Sequence, residues 1–369
     1  MYYNWQLPDW PHFSYDLTDI EDDLFSFAEE TGHISGLLKA MPSNMQLDAI
    51  IQIMVAEAMK TSEIEGEYFS RKDVTSSIRN HLGLNQKKEI IKNKKAAGIG
   101  QLMVEVRKSF ADSLTEQHLF VWHKMLMKEN SKINVGAWRK HTEPMQVVSG
   151  AIGKEQIHFE APPSRLVKQE MRKFIKWYND TAPGGSKEIK KAPVRAAIAH
   201  LYFESIYPFE DGNGRIGRAI AEKALSQTVG RPLLISLSQT IETNKKAYYS
   251  ALQKAQSGIE ITDWIKYFVQ TTLIAQKHTK ETIAFILKKA AFIDQFKEQL
   301  NPRQFKIVSK MTEQPNSFKD GMTAKKYIAI TKSSKATATR DLQELLELGA
   351  IRVEGGGRST RYYLNTINK

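Results

Sequence analysis

Apolar residues recur at helical spacing along most of this chain. Between Asp19 and about Gly66 the recurring positions include Leu47, Ile50, Ile51, Met54, Val55 and Ala58. The segments from Leu102 to Lys128 and from Arg165 to Asp180 repeat this periodicity. Because residues three and four apart share one face of an α-helix, the pattern predicts amphipathic helices. We therefore expect a mainly α-helical protein.

One segment departs from the helical pattern. Met145 to Pro163 contains two short β-prone runs, Gln146-Val-Val and Ile157-His-Phe, which are separated by Gly150 and Gly153. Short runs of this kind around glycines are typical of paired strands. The sequence therefore predicts a small β-hairpin inserted among the helices.

A further helix is expected to begin near Pro193 and to end at Tyr207. Proline is tolerated in the first turn of a helix, and Val194, Ala197, Ile198, Leu201 and Phe203 continue the apolar pattern. Pro208 then pushes its predecessor out of the α region. The chain should therefore turn sharply at Tyr207.

The composition changes after Asn301-Pro302. The predicted elements are a helix to Met311, a helix near Thr323 to Ile330, a second near Ser334 to Leu348, and a two-stranded ribbon from Val353 to Leu364. This order resembles a winged helix-turn-helix, whose second helix enters the major groove of DNA. The basic candidates for phosphate contact are Lys325, Lys326, Lys332, Lys335, Arg340, Arg358 and Arg361. Winged helices also serve as protein-docking or dimer modules, so DNA, a protein and a second copy of the chain all stay open as partners.

Composition limits the other possibilities. The chain has 369 residues, enough for two or three domains, and no cysteine, which excludes disulfides, thiolate metal sites and a cysteine nucleophile. The first ten residues lack a signal-peptide pattern, and no window approaches the roughly 18 apolar residues that span a bilayer. We therefore expect a cytoplasmic protein without a membrane partner. The net charge of +12 favours phosphate-bearing partners without saying which ones.

The segment Tyr207-Pro-Phe-Glu-Asp-Gly-Asn-Gly-Arg-Ile-Gly-Arg218 carries the most chemical information. Gly212 and Gly214 permit backbone conformations closed to other residues, so consecutive N–H groups can converge on an anion. A helix starting near Arg215 adds its positive end, and Arg215 and Arg218 share a helix face from which both can reach phosphate oxygens. The segment therefore predicts a cradle for phosphates.

Two further side chains of this loop fit the same interpretation. Asn213 can donate its side-chain amide into the cradle, and Asp211 can hold Mg²⁺, which prefers one or two carboxylates together with phosphate oxygens and waters. The loop also matches G-x-G-x-x-G, but a helix and Pro208 precede it instead of a strand, which argues against a dinucleotide fold. A capped turn between two helices remains the alternative.

The pattern F-x-D-G-N-G-R-x-x-R resembles the signature loop of the Fic (filamentation induced by cAMP) family, whose usual form begins His-Pro-Phe. Gly136-Ala-Trp-Arg139, Pro162-Pro163 and Asn244 to Tyr249 extend the similarity over most of residues 100 to 275. The resemblance implies an all-α core that binds Mg-ATP and transfers AMP to a hydroxyl of a target protein. It also implies that the hairpin is a flap that aligns the target by strand addition.

The resemblance implies a role for each matching residue. Asp211 would hold Mg²⁺, Asn213 with the Gly212 to Gly214 backbone the α- and β-phosphates, Arg218 the γ-phosphate with help from Arg215, and Phe209 would anchor the loop. Asn244 and Tyr248 or Tyr249 would lie near the adenine, with plain helix packing as their alternative. The implied domains are an N-terminal helical region over 1–105, a Fic core over 106–290 and a winged helix over 295–369.

Tyr207 departs from the family pattern, which has a histidine base at this position. A phenol titrates near 10 and is only about one part in a thousand ionised at pH 7, whereas an imidazole titrates near 6.5. We therefore expect much weaker AMP transfer with nucleotide binding retained, or a nucleotide-binding regulator that transfers little AMP. His200 is predicted to be an ordinary packed histidine and not a substitute base.

The segment Thr61-Ser-Glu-Ile-Glu-Gly66 resembles the family's inhibitory helix motif, [ST]-x-x-x-E-[GN]. The resemblance implies that Glu65 pairs bidentately with Arg218 and occupies the donors that the γ-phosphate needs. Gly66 can adopt the left-handed conformation that ends a helix. An inhibited enzyme, with the N-terminal region packed over the site, is therefore expected.

Overall fold

The computed structural model of the protein describes residues 2–149, 156–313 and 318–365. Two compact units can be distinguished. The first comprises Met1–Pro42 with Ile50–Thr279, and the second comprises Ser43–Ala49 with Lys280–Lys369. Among the described residues, no helix combines the length and the apolar content that crossing a membrane requires.

Helices dominate the chain, as its periodicity predicts. In chain order the first eleven are α1 (Glu21–Ala40), α2 (Ser43–Ile64), α3 (Arg71–His81), α4 (Lys94–Lys108), α5 (Glu116–Met127), α6 (Ser164–Asp180), α7 (Ala192–Ile206), α8 (Asn213–Val229), α9 (Leu237–Thr243), α10 (Lys245–Ala255) and α11 (Thr262–Phe296). Several begin at a side chain that accepts a hydrogen bond from the first turn: Asn93 for α4, Thr115 for α5 and Ser236 for α9. These caps satisfy amide groups that have no partner inside the helix.

Helix α7 forms the centre of the first unit. All of its residues from Ala192 to Ile206 are buried, and Pro193 lies in its first turn as predicted. Its closest partner is α8, and the Trp264 indole of α11 donates a hydrogen bond of 2.8 Å to the Ala197 carbonyl. The loop between α7 and α8 is consequently fixed at both ends by fully packed helices.

A two-stranded antiparallel sheet confirms the predicted hairpin. Strand β1 (Gln146–Ser149) pairs with β2 (Gln156–Glu160), with an irregularity between Val147 and Val148. Phe159 is buried, whereas Val148 and Ile157 are about half exposed. Gly150 and Gly153, which the sequence analysis placed between the strands, lie outside the described residues.

The second unit contains the elements predicted for the C-terminal segment. They are α12 (Pro302–Met311), α13 (Ala324–Thr331), α14 (Lys335–Glu347), β3 (Ile351–Glu354) and β4 (Arg361–Leu364). Strands β3 and β4 are antiparallel, and Met322 forms an isolated bridge with Tyr362. The winged-helix assignment and the domain limits at residues 105, 290 and 295 stay predictions.

A buried carboxylate organises the helices of the second unit. Asp341 of α14 accepts hydrogen bonds from the Arg303 guanidinium, the Asn301 amide and the Tyr327 hydroxyl at 2.7 to 3.1 Å. Because a buried charge is costly without partners, these three donors explain why an acid is tolerated at this position. They also join α14 to α12 and α13.

Candidate phosphate-binding site

The loop between α7 and α8 begins with a strained residue. Tyr207 has φ 51° and ψ 59°, a left-handed conformation that is unusual for a residue with a side chain. Its amide still donates to the Phe203 carbonyl at 3.0 Å, so α7 ends here. Pro208 follows, and the prediction that the helix stops before this proline is confirmed.

Glycine starts the next helix. Gly212 has φ 82° and is the N-cap of α8, and the first helical hydrogen bond runs from the Ile216 amide to the Gly212 carbonyl at 3.1 Å. The amides of residues 213 to 215 precede that bond, as in any helix N-terminus. They form the positive end of α8 on the side of the loop.

Asn213 closes the loop on itself. Its Oδ1 accepts from the Phe209 amide at 2.9 Å, and its Nδ2 donates to the Phe209 carbonyl at 2.8 Å. Both polar atoms of this side chain thus hold the loop backbone. The second N–H of Nδ2 and the backbone N–H of Asn213 are the donors left for an anion, and a phosphate contact by the side chain stays a prediction.

His123 of α5 packs against the loop and hydrogen-bonds to it. The sequence did not indicate this role. Its ring stacks on Phe209 with centroids 4.1 Å apart, Nδ1 accepts from the Gly136 amide at 2.8 Å, and Nε2 lies 3.2 Å from the Asp211 carbonyl. Burial lowers the pKa of His123 to about 4, so the ring is neutral at pH 7. Because Nδ1 accepts, Nε2 carries the proton and donates to the loop.

Arg139 holds the start of the loop. Its buried guanidinium donates to the Tyr207 carbonyl at 2.8 Å, to the Pro162 and Ile206 carbonyls at 2.5 and 3.3 Å, and to the Ser164 hydroxyl at 2.9 Å. Pro162 lies just beyond strand β2. The side chain of Arg139 therefore connects the segment after the hairpin to Tyr207, the first residue of the loop at 207–218.

Glu65 lies against Arg218, the second arginine of the loop. The Arg218 Nη2 donates to Glu65 Oε1 at 2.7 Å and to the Thr61 carbonyl at 3.0 Å, while Nε donates to the Thr61 hydroxyl at 2.7 Å. The predicted contact is present, but its predicted bidentate form is wrong. Thr61, one helical turn before Glu65, accepts the Nε donor and shares Nη2 with Glu65.

Glu67, which no sequence motif identified, contacts Arg215, the other arginine of the loop. Its Oε2 accepts from the Arg215 Nη1 at 2.5 Å, and its Oε1 accepts from Lys95 at the same distance. The Asp211 carboxylate lies 3.6 Å from the Arg215 Nη2. The only available signal was the alternation of acids at positions 63, 65 and 67. Both loop arginines are thus paired with carboxylates of one short segment.

Tyr207 ionises less readily than a free phenol, so less of it is present as a base at neutral pH. Burial, reinforced by the nearby Glu204 and Glu65 carboxyl groups, raises its pKa above the ordinary value of 10. Glu204, one turn earlier on α7, is itself buried, and burial raises its pKa to about 8. At neutral pH Glu204 is therefore mostly protonated, and Tyr207 is a neutral phenol.

The three residues expected near adenine have separate surroundings. The Asn244 side chain caps α10 by accepting from the Ala247 amide at 3.1 Å. Tyr248 is buried and its hydroxyl lies 2.8 Å from Nε2 of His200, while Tyr249 is exposed and packs edge-on against Tyr248. The prediction that His200 is a packed core histidine is confirmed. An adenine contact by Asn244, Tyr248 or Tyr249 stays a prediction.

Asp211 meets the requirements for a magnesium ligand. Its side chain is about half exposed, and Oδ1 accepts from the Gly212 amide at 2.6 Å. No group of three or more His, Asp or Glu side chains that could hold a metal occurs within the described ranges. Since Mg²⁺ is commonly held by one carboxylate with phosphate oxygens and waters, Asp211 fits an ion that arrives with a nucleotide.

Comparison with known proteins identifies a family domain that includes the loop at residues 207–218. Residues 113–225 match the model of the Fic/DOC family. Residues 3–84 match the model of a domain of unknown function, DUF4172. A probable protein adenylyltransferase of Aquifex aeolicus is 31% identical over 100 residues, which is 27% of each chain. The protein adenylyltransferase fic-1 of Caenorhabditis elegans is 26% identical over 124 residues, 33% of this chain and 22% of the relative. The similarity therefore spans about a quarter of these curated relatives.

The fold has a solved counterpart. The crystal structure of a Fic family protein from Desulfovibrio desulfuricans G20 has a TM-score of 0.55 at 18% identity and covers 96% of this chain and 98% of its own. At that identity the likeness concerns the fold alone. The family-model match covers a Fic/DOC domain at residues 113–225, which include the loop at 207–218.

Proposed function

We propose that this protein is an adenylyltransferase that moves AMP from Mg-ATP to a hydroxyl group of a target protein. The observation that carries the proposal is the loop at residues 207–218. A glycine with φ 82° starts a buried helix whose first amides face the loop, and two arginines of that helix pair with acids from another segment. Phosphate oxygens could replace those acids, because carboxylates and phosphates use the same guanidinium donors.

The roles of the loop follow from its contacts. The backbone amides of residues 212 to 214 would hold the α- and β-phosphates, and Arg218, assisted by Arg215, would bind the γ-phosphate. Asp211 would hold Mg²⁺, which neutralises charge on the phosphates when it is bound. Phe209 and Asn213 keep the loop backbone in shape, and the second N–H of the Asn213 side chain would also donate to these phosphates.

The hairpin is proposed to receive the target. Its two strands form a separate sheet in the described part of the chain, so a strand edge is available for an added peptide. Val148 and Ile157 present exposed apolar side chains on this hairpin. Arg139 links Pro162, which lies two residues after β2, to Tyr207. A peptide on the hairpin would therefore be aligned with the loop.

Tyr207 is proposed to limit the rate of transfer. A histidine base is typically worth about 10²- to 10⁴-fold, and a phenol with a raised pKa supplies almost none of that at pH 7. The test is mass spectrometry for a 5′-AMP adduct after this chain and its Tyr207→His variant are incubated with Mg-ATP and candidate proteins. The variant should be faster by about 10²-fold or more. Equal rates would mean that position 207 is not the base position.

Glu65 is proposed to inhibit the enzyme by holding Arg218. Replacing Glu65 with Gly in a Tyr207→His background removes the carboxylate and should raise automodification. The matched control is Glu63→Gln, which alters a carboxylate on the same helix that pairs with Lys60 and not with the loop. Unchanged labelling in the Glu65 variant would refute inhibition by this residue.

A second candidate function is that of a nucleotide-binding regulator that acts on DNA through residues 295–369. Five of the six exposed residues of α14 support it, namely Lys335, Ala336, Thr339, Arg340 and Gln343, and the sixth is the acid Glu347 at the end of the helix. No large apolar side chain is exposed on α14, which the structure describes in full. Small, polar and basic side chains suit a groove of DNA better than an apolar protein surface.

The full chain tests this second function. Binding of a labelled duplex should weaken steeply with salt, and a Lys335→Ala/Arg340→Ala double variant should lower the slope of log affinity against log salt by about two. Lys176→Ala, at an exposed position of α6, is the control. An absence of duplex binding at low salt would leave docking of a protein as the better interpretation of this unit.

A further inference from the structure

Glu67 is buried enough, and close enough to the loop, to act on nucleotide binding. Its side chain is 21% exposed and that of Arg215 is 6% exposed. The two groups are 2.5 Å apart, so this is a partly desolvated ion pair and not a solvated surface contact. Such pairs are stronger than exposed ones because less water screens them.

The end of α2 fixes Glu65 and Glu67 together. The Gly66 amide donates to the Glu63 carbonyl at 3.1 Å, and the Glu67 amide donates to the Ser62 carbonyl at 2.9 Å. With Gly66 at φ 77°, these two bonds form a Schellman motif. The motif sets both carboxylates at the end of one helix, where each can reach a different arginine of α8.

The contacts of the two arginines occupy four of their six guanidinium nitrogens: Nε and Nη2 of Arg218, and Nη1 and Nη2 of Arg215. Arg218 is held by Glu65 and Thr61, and the two terminal nitrogens of Arg215 lie against Glu67 and Asp211. The Arg215 Nε is buried and has no partner among the described residues. A triphosphate that engages Arg215 must therefore compete with Glu67, just as one that engages Arg218 must compete with Glu65.

We infer that Glu67 is a second inhibitory carboxylate, which blocks nucleotide binding at Arg215 independently of Glu65. This inference rests on the proposed nucleotide-binding function and extends its regulation to a residue outside the recognised motif. Release of the loop then requires that two ion pairs open. The carboxylate of one pair precedes Gly66, and that of the other follows it. An event that unwinds the last turn of α2 would open both at once.

Lys95 gives this second pair a different sensitivity from the first. It holds the other oxygen of Glu67 at 2.5 Å and is about half exposed. Salt or an anion that screens Lys95 would free one oxygen of Glu67, whereas Glu65 has no lysine partner in the described part of the chain. The contribution of Glu67 should therefore depend on ionic strength through Lys95 as well as through Arg215.

Calorimetric titration with Mg-ATP tests the inference in the full chain. The proteins are the unaltered chain, Glu65→Gln, Glu67→Gln, the Glu65→Gln/Glu67→Gln double variant and Glu63→Gln as the matched control. We expect Glu67→Gln to lower the Kd by about threefold to tenfold, Glu63→Gln to leave it unchanged, and the double variant to show the product of the single effects. Glu67→Ala, which removes the hydrogen-bonding group entirely, should give at least the effect of Glu67→Gln.

Three results would count against the inference, and they are distinguishable. A lower Kd for Glu65→Gln but not for Glu67→Gln or Glu67→Ala would overturn it and leave the proposed function intact. A change in thermal stability for Glu67→Gln without a change in Kd would show that the pair only stabilises the fold. If none of the proteins binds Mg-ATP, the proposed function itself fails and the inference falls with it.

Discussion

The Glu204 carboxyl makes the stability of this protein depend on pH in an unusual direction. Glu204 is 3% exposed, its Oε1 has no partner in the described part of the chain, and burial raises its pKa from 4.5 to about 8, against the opposing effect of Arg218. The folded state therefore keeps a proton that the unfolded state releases above pH 4.5. Stability from this group is lost as the pH rises, by about 1.4 kcal/mol per unit until the folded pKa is reached.

The window from pH 6.5 to 8 isolates this effect. His123 and His200, whose pKa values burial lowers to about 4, reduce stability as the pH falls through their unfolded value of 6.5, so in this window each changes it by only about 0.4 kcal/mol, and this change cancels between two proteins that keep both histidines. Across 1.5 pH units Glu204 should remove about 2 kcal/mol, or roughly 5 °C in Tm for a unit of this size. Glu222, with a pKa raised to about 8, adds a fall of the same sign.

The assay is thermal unfolding of the unaltered chain and of Glu204→Gln at pH 6.5 and pH 8. The glutamine keeps the shape of the protonated acid and cannot ionise, so the variant should lose less stability by about 2 kcal/mol over this window. Glu222 is present in both proteins, and their difference therefore reports Glu204 alone. An equal fall in both proteins would show that Glu204 is already ionised at pH 6.5 and would refute the reasoning.

Three further predictions concern the loop. Arg139→Ala should lower the free energy of unfolding, measured in urea, by about 3 kcal/mol because it leaves buried carbonyls without donors. The control Arg165→Ala, at an exposed position, should change it little. Similar effects of the two substitutions would contradict the role given to Arg139. Gly214→Ala places a methyl group 3.1 Å from Arg218 Nη1 and against Glu65, so Mg-ATP binding should be lost in calorimetry even with Glu65→Gln present, and retained affinity would place the phosphates elsewhere. Asp211→Asn should make ATP affinity the same with and without Mg²⁺, and a persisting Mg²⁺ effect would exclude Asp211 as the ligand.

The sequence predicted the backbone of the site well because local chemistry determines it. Pro208 ends one helix, Gly212 starts the next, and Gly66 ends α2, and each of these depends on residues within one or two positions. The pairing of Glu65 with Arg218 spans 153 positions and was reached only through the resemblance to a known motif.

The supports of the loop could not be predicted in the same way. His123 and Arg139 act from 88 and 68 positions away from the loop residues that they bind, and no local pattern marks either as a hydrogen-bonding partner. The sequence predicts that the side chain of Asn213 faces a ligand, and it does not indicate that the same side chain also satisfies the Phe209 backbone. Which donor is left for a ligand depends on the complete set of contacts, which only the fold provides.

The conformation at Tyr207 has a consequence for how this protein can change over generations. Pro208 disfavours the right-handed helical conformation at residue 207, and Arg139 holds its carbonyl; both effects act on the backbone, which every residue at 207 would share. A tyrosine codon becomes a histidine codon by one nucleotide exchange. With the role proposed for position 207, catalytic power could therefore be lost or regained in a single mutational step, while the surrounding contacts are inherited intact.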